Sequence, residues 1–247
     1  MTSENLFKLC CRNFIVCCLG YSVLPQAYAL ASPQGLAIRL SEAKKLMAEG
    51  KYGEAEASVN ALIARQPSAD AFDLLGNIFE QQNKLDRAED AYRQALRLDA
   101  AKHSSRVRLG IVYGKRAKYA QCVDILTTLQ NEIRNNPEAL YYLCRAFLEG
   151  GNTLRALQTA AMVEQLAEKD PGAVLSVGRL LVSRDLYQQA IPMLQKTVSQ
   201  LPKSSEAHYS LALALFKMRQ MQARVMGGVP YEVVPIPAFD AIFPAAA

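Results

Sequence analysis

Tryptophan is absent from the 247 residues and histidine occurs only twice, as His103 and His208. Neither has a second His or a Cys at ligand spacing, which excludes the usual zinc patterns. There is no Gly-x-Ser-x-Gly elbow, phosphate-cradling glycine loop or dinucleotide fingerprint, so the common sequence marks of hydrolases and nucleotide-dependent enzymes are missing. Cys122 as a nucleophile needs a nearby His, and its own neighbourhood supplies none. Asp70, Asp73 and Glu80 share one helix face, an arrangement that reads as solvated surface rather than as an acid/base pair. The net charge of +5 is small and dispersed, without the clustered Lys, Arg and stacking aromatics of a nucleic-acid surface. The expectation is a non-enzymatic chain with no cofactor, no metal and no nucleic-acid partner.

Apolar runs are scarce as well, and the one that stands out is Phe14-Ile15-Val16-Cys17-Cys18-Leu19-Gly20, behind Lys8 and Arg12 and ahead of Ala27-Tyr28-Ala29-Leu30-Ala31. A charged start, a short apolar centre and a small-x-small ending make a secretory signal peptide over residues 1–31, cut after Ala31 or Ala29. The centre ends near Pro25, short of the ~20 residues a membrane-spanning helix needs. Cys17 follows Val16 and Cys10 follows Leu9, which disfavours a lipoprotein signal. An uncleaved anchor is the other reading. The expected location is a bacterial periplasm or the cell exterior, with membrane contact only through the signal before cleavage.

Cleavage takes Cys10, Cys11, Cys17 and Cys18 and leaves Cys122 and Cys144. An oxidising compartment allows a disulfide between them. Their places in the pattern described next make them two buried small hydrophobes instead, and the sequence does not decide the geometry a bridge demands.

That pattern is a repeat. Small residues twelve apart, Ala43/Ala55, Gly76/Ala88, Gly110/Cys122, Cys144/Ala156 and Gly178/Ala190, recur every 33 or 34 residues. A bulky apolar residue follows the first of each pair by three: Leu46, Phe79, Tyr113, Phe147, Leu181, then Leu215 in a sixth copy. Apolar groups at helical spacing around such small residues describe helical hairpins, and stacked hairpins share a core that none buries alone. Glu49-Gly50-Lys51, Gln82-Asn83-Lys84, Gly150-Gly151-Asn152 and Arg184-Asp185 supply turns between the two helices. No linker rich in Pro, Gly or Ser divides the array.

Leu75-Gly76-Asn77-Ile78-Phe79 followed by Ala88-Glu89-Asp90-Ala91-Tyr92 resembles the tetratricopeptide repeat family, whose first helix reads Leu-Gly-x-x-Tyr and whose second reads Ala-x-x-x-Phe. Pro67 and Pro202 fall at unit ends, Pro137 and Pro171 three residues late, and Ala100 stands after the second unit. The resemblance spans residues 36–221. It implies an all-α, right-handed superhelical solenoid of stacked antiparallel helix pairs, with five full repeats (36–68, 69–102, 103–136, 137–170, 171–204) and a partial one (205–221). The Pro-containing tail 222–247 is read as disordered, as folded back on the last helix, or as the remnant of a longer array.

Family architecture places the first helices on the inner face and a protein or peptide partner against them. The lining expected from it is Val107 and Ile111, then Tyr141, Arg145 and Leu148, then Leu175, Arg179 and Val182, then Tyr209, Leu213 and Phe216. This strip joins apolar area to two arginines, as a peptide groove requires. The alternative burial of these side chains within the stack stays open, as does a structural role in an envelope or secretion assembly. The chaperone-binding mode of the family does not carry over, because Leu40, Lys44, Asp73 and Arg108 stand where its Lys and Asn residues belong.

Overall fold

The structure, a computed structural model, describes residues 33–225, all in helices and their connecting turns. The signal peptide expected over 1–31 and the tail from 226 onward lie outside the described residues. The chain divides after Lys102 into two compact units.

The first unit holds α1 (Pro33–Ala48), α2 (Tyr52–Arg65), α3 (Ala69–Gln81) and α4 (Leu85–Leu98). Each pair closes through the same turn. The N–H of Lys51 donates to the carbonyl of Leu46 at 2.9 Å, and that of Lys84 to the carbonyl of Phe79 at 2.8 Å. Gly50 (φ 75°) and Asn83 (φ 57°) supply the left-handed residue that this ending needs. The carbonyl that accepts belongs each time to the bulky apolar residue of the repeat, so one position packs the pair and also terminates its first helix. At the start of α3, Ser68 Oγ accepts the N–H of Ala71 at 3.2 Å, a capping bond.

The second unit holds α5 (His103–Lys115), α6 (Tyr119–Leu126), a 3₁₀ turn (Thr127–Leu129), α7 (Gln130–Ile133), α8 (Pro137–Glu149), α9 (Thr153–Glu164), α10 (Pro171–Val182), α11 (Tyr187–Gln200) and α12 (Ser205–Val225). The hairpin turn recurs between Lys118 and Tyr113, Asn152 and Phe147, and Leu186 and Leu181. Its left-handed residues here are Ala117 (φ 57°), Gly151 (φ 73°) and Asp185 (φ 61°). Ala117 escaped the sequence reading because alanine gives no turn signal.

Pro137 and Pro171, the first residues of the repeats read as 137–170 and 171–204, begin α8 and α10, each behind a capping side chain, Asn136 or Asp170; their fixed φ suits a first helical turn. The second helix of the third repeat is broken at Thr127, whose Oγ1 donates to the carbonyl of Val123 at 2.7 Å, a backbone bond that competes with the helix. Leu129 and Ile133 remain buried all the same. Finally, α12 runs to Val225, past the expected end at residue 221, since no proline follows until Pro230.

The core is built on paired sizes. A Cβ added to Gly76 would lie 2.5 Å from the Tyr92 ring, one on Gly110 2.5 Å from Leu126, and one on Gly178 2.8 Å from Leu194. In each case the side chain sits sixteen residues on and fills the space the glycine leaves. Between repeats the same device joins α5 to α8, where a Cβ on Gly114 would meet Tyr142 Cβ at 2.7 Å.

Candidate functional site

Between α8 and α10 the second unit opens a cleft of about 780 Å³. From α8 it is lined by Tyr141, Tyr142, Arg145 and Glu149, and from α10 and the turn after it by Ser176, Arg179, Leu180 and Arg184. The α8 residues fall at spacings of one, three and four, the neighbours of one helix face. The Tyr141 and Tyr142 rings meet edge to face with centroids 5.2 Å apart. Lys115 Nζ lies 5.9 Å from the Tyr142 ring centroid. Burial raises the Tyr142 hydroxyl above its ordinary pKa, with the Lys115 charge opposing.

Charge in the cleft is organised in pairs. Glu138 meets Lys115 Nζ at 2.8 Å and Arg108 Nη1 at 3.2 Å. Arg184 is paired with Glu149, and Arg179 with Glu206 of α12. The Asp170 carboxylate accepts the N–H of Ala173 at 2.9 Å, capping α10. Among the described residues no group of three or more His, Cys, Asp or Glu is placed to hold a metal ion.

The expected lining is split by the structure. Tyr141, Arg145 and Arg179 do line the cleft. Val107, Ile111, Leu148 and Leu175 do not line a groove, for they are buried in the packing, none more than 8% exposed. Val182 and Leu213 are half-buried. Tyr209 and Phe216 are 68% and 56% exposed on α12 and are not among the residues of the cleft. The cause is a rotation. Leu148 and Leu175 turn into the stack, while Glu149 and Ser176, one residue on and about 100° around the helix, face the opening; Tyr141, at the place in its repeat that Leu175 holds in the next, stays in the cleft. Tyr142, Glu149, Ser176 and Arg184 were therefore missed, although the adjacent tyrosines were visible in sequence.

Cys122 and Cys144 are unbridged and buried, which overturns the disulfide alternative. Each thiol is turned to a different carbonyl: Cys122 Sγ lies 3.8 Å from that of Tyr142 and Cys144 Sγ 3.4 Å from that of Ala156. Burial pushes both up to about 12, far from a nucleophile's range.

Residues 40–103 match the family model described as tetratricopeptide repeat. Among solved structures, the chain is similar to a tetratricopeptide repeat protein from Parabacteroides merdae (22% identity, 79% of this chain and 77% of that one, TM-score 0.61). It is also similar to YrrB, described as a TPR protein with an unusual peptide-binding site (19% identity, 78% and 97% covered, TM-score 0.59). A third likeness is to Pseudomonas aeruginosa pilF (16% identity, 86% and 94% covered, TM-score 0.62). At these identities the likeness is one of fold. No curated protein matches the chain in sequence.

Proposed function

We propose that this chain, which carries tetratricopeptide repeats, is an exported interaction module that binds an extended peptide or a segment of a protein partner in the cleft between α8 and α10. The observation that carries the reading is the cleft itself, about 780 Å³ and lined by two tyrosines and three arginines. Tyr and Arg are the residue types that concentrate binding energy at protein interfaces. A peptide-binding site in YrrB, a protein of the same fold, supports the assignment. Export rests on the three-part signal within residues 1–31 and places the partner in the periplasm or outside the cell. No reaction is assigned.

A second reading, a scaffold subunit of an envelope assembly or secretion complex, draws on one observation. Tyr209, Phe216 and Met221 are exposed along α12, so the contacts of a spacer would be made there rather than in the cleft.

A photo-crosslinking residue placed at Ser176 in the cleft, at Phe216 on α12, or at exposed Gln121 on α6 separates the two in the producing cell. The cleft reading expects a discrete crosslinked partner from position 176. Crosslinks from position 216 with none from 176 favour the scaffold, and equal labelling from position 121 removes both.

A further inference from the structure

The charges of the cleft cancel. Its lining holds three carboxylates, Glu138, Glu149 and Asp170, and three arginines, Arg145, Arg179 and Arg184. Each carboxylate is engaged from within the protein: Glu138 by Lys115 and Arg108, Glu149 by Arg184, Asp170 by the N–H of Ala173. Each arginine has an acid beside it, Arg184 and Arg145 sharing Glu149 and Arg179 meeting Glu206. A ligand of either sign therefore meets no surplus of the other.

Hydrogen-bonding capacity does not cancel in the same way. A guanidinium carries five N–H donors in a planar fork. Arg184 engages Glu149 through Nη2 and Arg179 engages Glu206 through Nη1, while the Nε of Arg145 lies 4.0 Å from the same Glu149 oxygen. Among the described residues the other N–H groups of the three forks have no acceptor, and the side chains of Arg145, Arg179 and Arg184 are 39%, 56% and 39% exposed. The hydroxyls of Tyr141 and Tyr142 also make no hydrogen bond among the described residues. Nearby carbonyls are spent, those of Phe147 and Leu148 on the N–H groups of Asn152 and Gly151, that of Leu180 on Ser183 Oγ. An excess of donors at zero net charge is met by neutral carbonyl oxygens.

Proline is the residue that brings a backbone carbonyl without an N–H to satisfy. A chain rich in it is extended and has no internal hydrogen bonds, so its carbonyls are free to accept. Its rings dock on aromatic side chains, and the Tyr141 and Tyr142 rings stand at 81° to each other in the cleft. We infer that the cleft takes an uncharged, proline-containing extended segment of its partner. Proline rings lie against Tyr141 and Tyr142, and the segment's carbonyl oxygens accept from the arginine forks. This inference rests on the peptide-binding reading above and narrows it.

The test is isothermal titration of the full chain with decaproline acetylated at one end and amidated at the other, so that the probe carries no charge. Saturable binding is expected, changed less than about twofold between about 0.05 and about 0.5 M sodium chloride, because screening acts on charge. Tyr141→Ala should weaken it about thirtyfold, the scale of a lost interface anchor. Replacing two central prolines by Asp or by Lys should weaken binding, and so should replacing them by Ala, which restores N–H groups. Should Tyr141→Ala fail to fold, a chain with the photo-crosslinking residue at Ser176 decides, since it should capture decaproline and one with that residue at Phe216 should not. No saturation at about 1 mM decaproline, or tighter binding of the Asp or Lys peptide, overturns the inference, and the cleft reading is then decided by the cellular crosslink from position 176. Binding that Tyr141→Ala leaves unchanged, with capture from position 216 rather than 176, overturns both.

Discussion

The ring of Tyr92 rests on Gly76, sixteen residues earlier, so closely that a Cβ there would lie 2.5 Å from its Cε1. Its hydroxyl reaches past the glycine to donate to Glu80 Oε2 at 2.7 Å and lies 3.1 Å from Asn77 Oδ1. The same sixteen-residue relation joins Gly110 to Leu126 and Gly178 to Leu194. Where the first position is larger the partner position holds a smaller residue: Ala43 is followed sixteen on by Val59, and Cys144 by Ala160, all buried. A larger residue at the first position thus goes with a smaller one at the second, as close packing demands.

Gly110→Leu is therefore expected to cost about 1–3 kcal/mol through overpacking, read as a lower urea midpoint. Gly178→Leu should do the same. Combining Gly110→Ala with Leu126→Ala should destabilise less than the two single changes added together, since the pair shares one space. Simple additivity would show that the two side chains do not compete.

Ala117 holds the left-handed turn that Gly50 and Gly151 hold elsewhere, a conformation costing an L-residue about 1–2 kcal/mol. Set against the greater freedom glycine loses on folding, Ala117→Gly should still stabilise the protein by roughly 0.5–1 kcal/mol. A melting temperature that falls would contradict this account of the turn.

The buried thiols set an alkaline limit. Cys122 and Cys144 are raised from 9.0 to about 12 by burial, so the folded state holds its thiol protons more tightly than the unfolded chain does. The stability this gives is complete below pH 9 and is lost as pH rises toward 12. Replacing both cysteines by Ala should flatten the stability profile across that window. In the native chain at pH 8, thiol reagents should label neither residue on the timescale that suffices in urea.

Tyr141→Ala should weaken a cleft-bound peptide by about 2 kcal/mol if Tyr141 anchors it, with little change in stability because the ring is only half-buried. Phe216→Ala should leave that binding unchanged. Isothermal titration with a peptide from the partner crosslinked at position 176 distinguishes the cases, and the reverse outcome would move the contact to α12.

Export is checked at the N terminus. The mature protein should begin at Ser32 or Leu30, as determined by mass spectrometry of material from the periplasm or medium. A soluble cytosolic chain that retains Met1 would rule the signal out.

The repeat, its period and its helical hairpins were legible in the sequence because they depend on local spacing: small residues at fixed intervals, a bulky residue three further on, and turn residues between. Phe79, Tyr113 and Phe147, the bulky residues of that spacing, could be assigned to the core from it alone, and all three are buried. The break of the helix at Thr127 and the left-handed Ala117 were not legible, since nothing about Thr or Ala at those points distinguishes them from their neighbours in the chain. The lining of the cleft was decided by tertiary structure. Whether Leu148 or Glu149 faces the opening turns on a rotation of about 100°, set by how α8 and α10 pack together and not by either helix alone. Charge pairing was decided there too. Arg145 and Arg179 occupy equivalent places in successive repeats, yet the fold brings Glu206 of α12 to Arg179, while Arg145 faces Glu149 of its own helix at 4.0 Å.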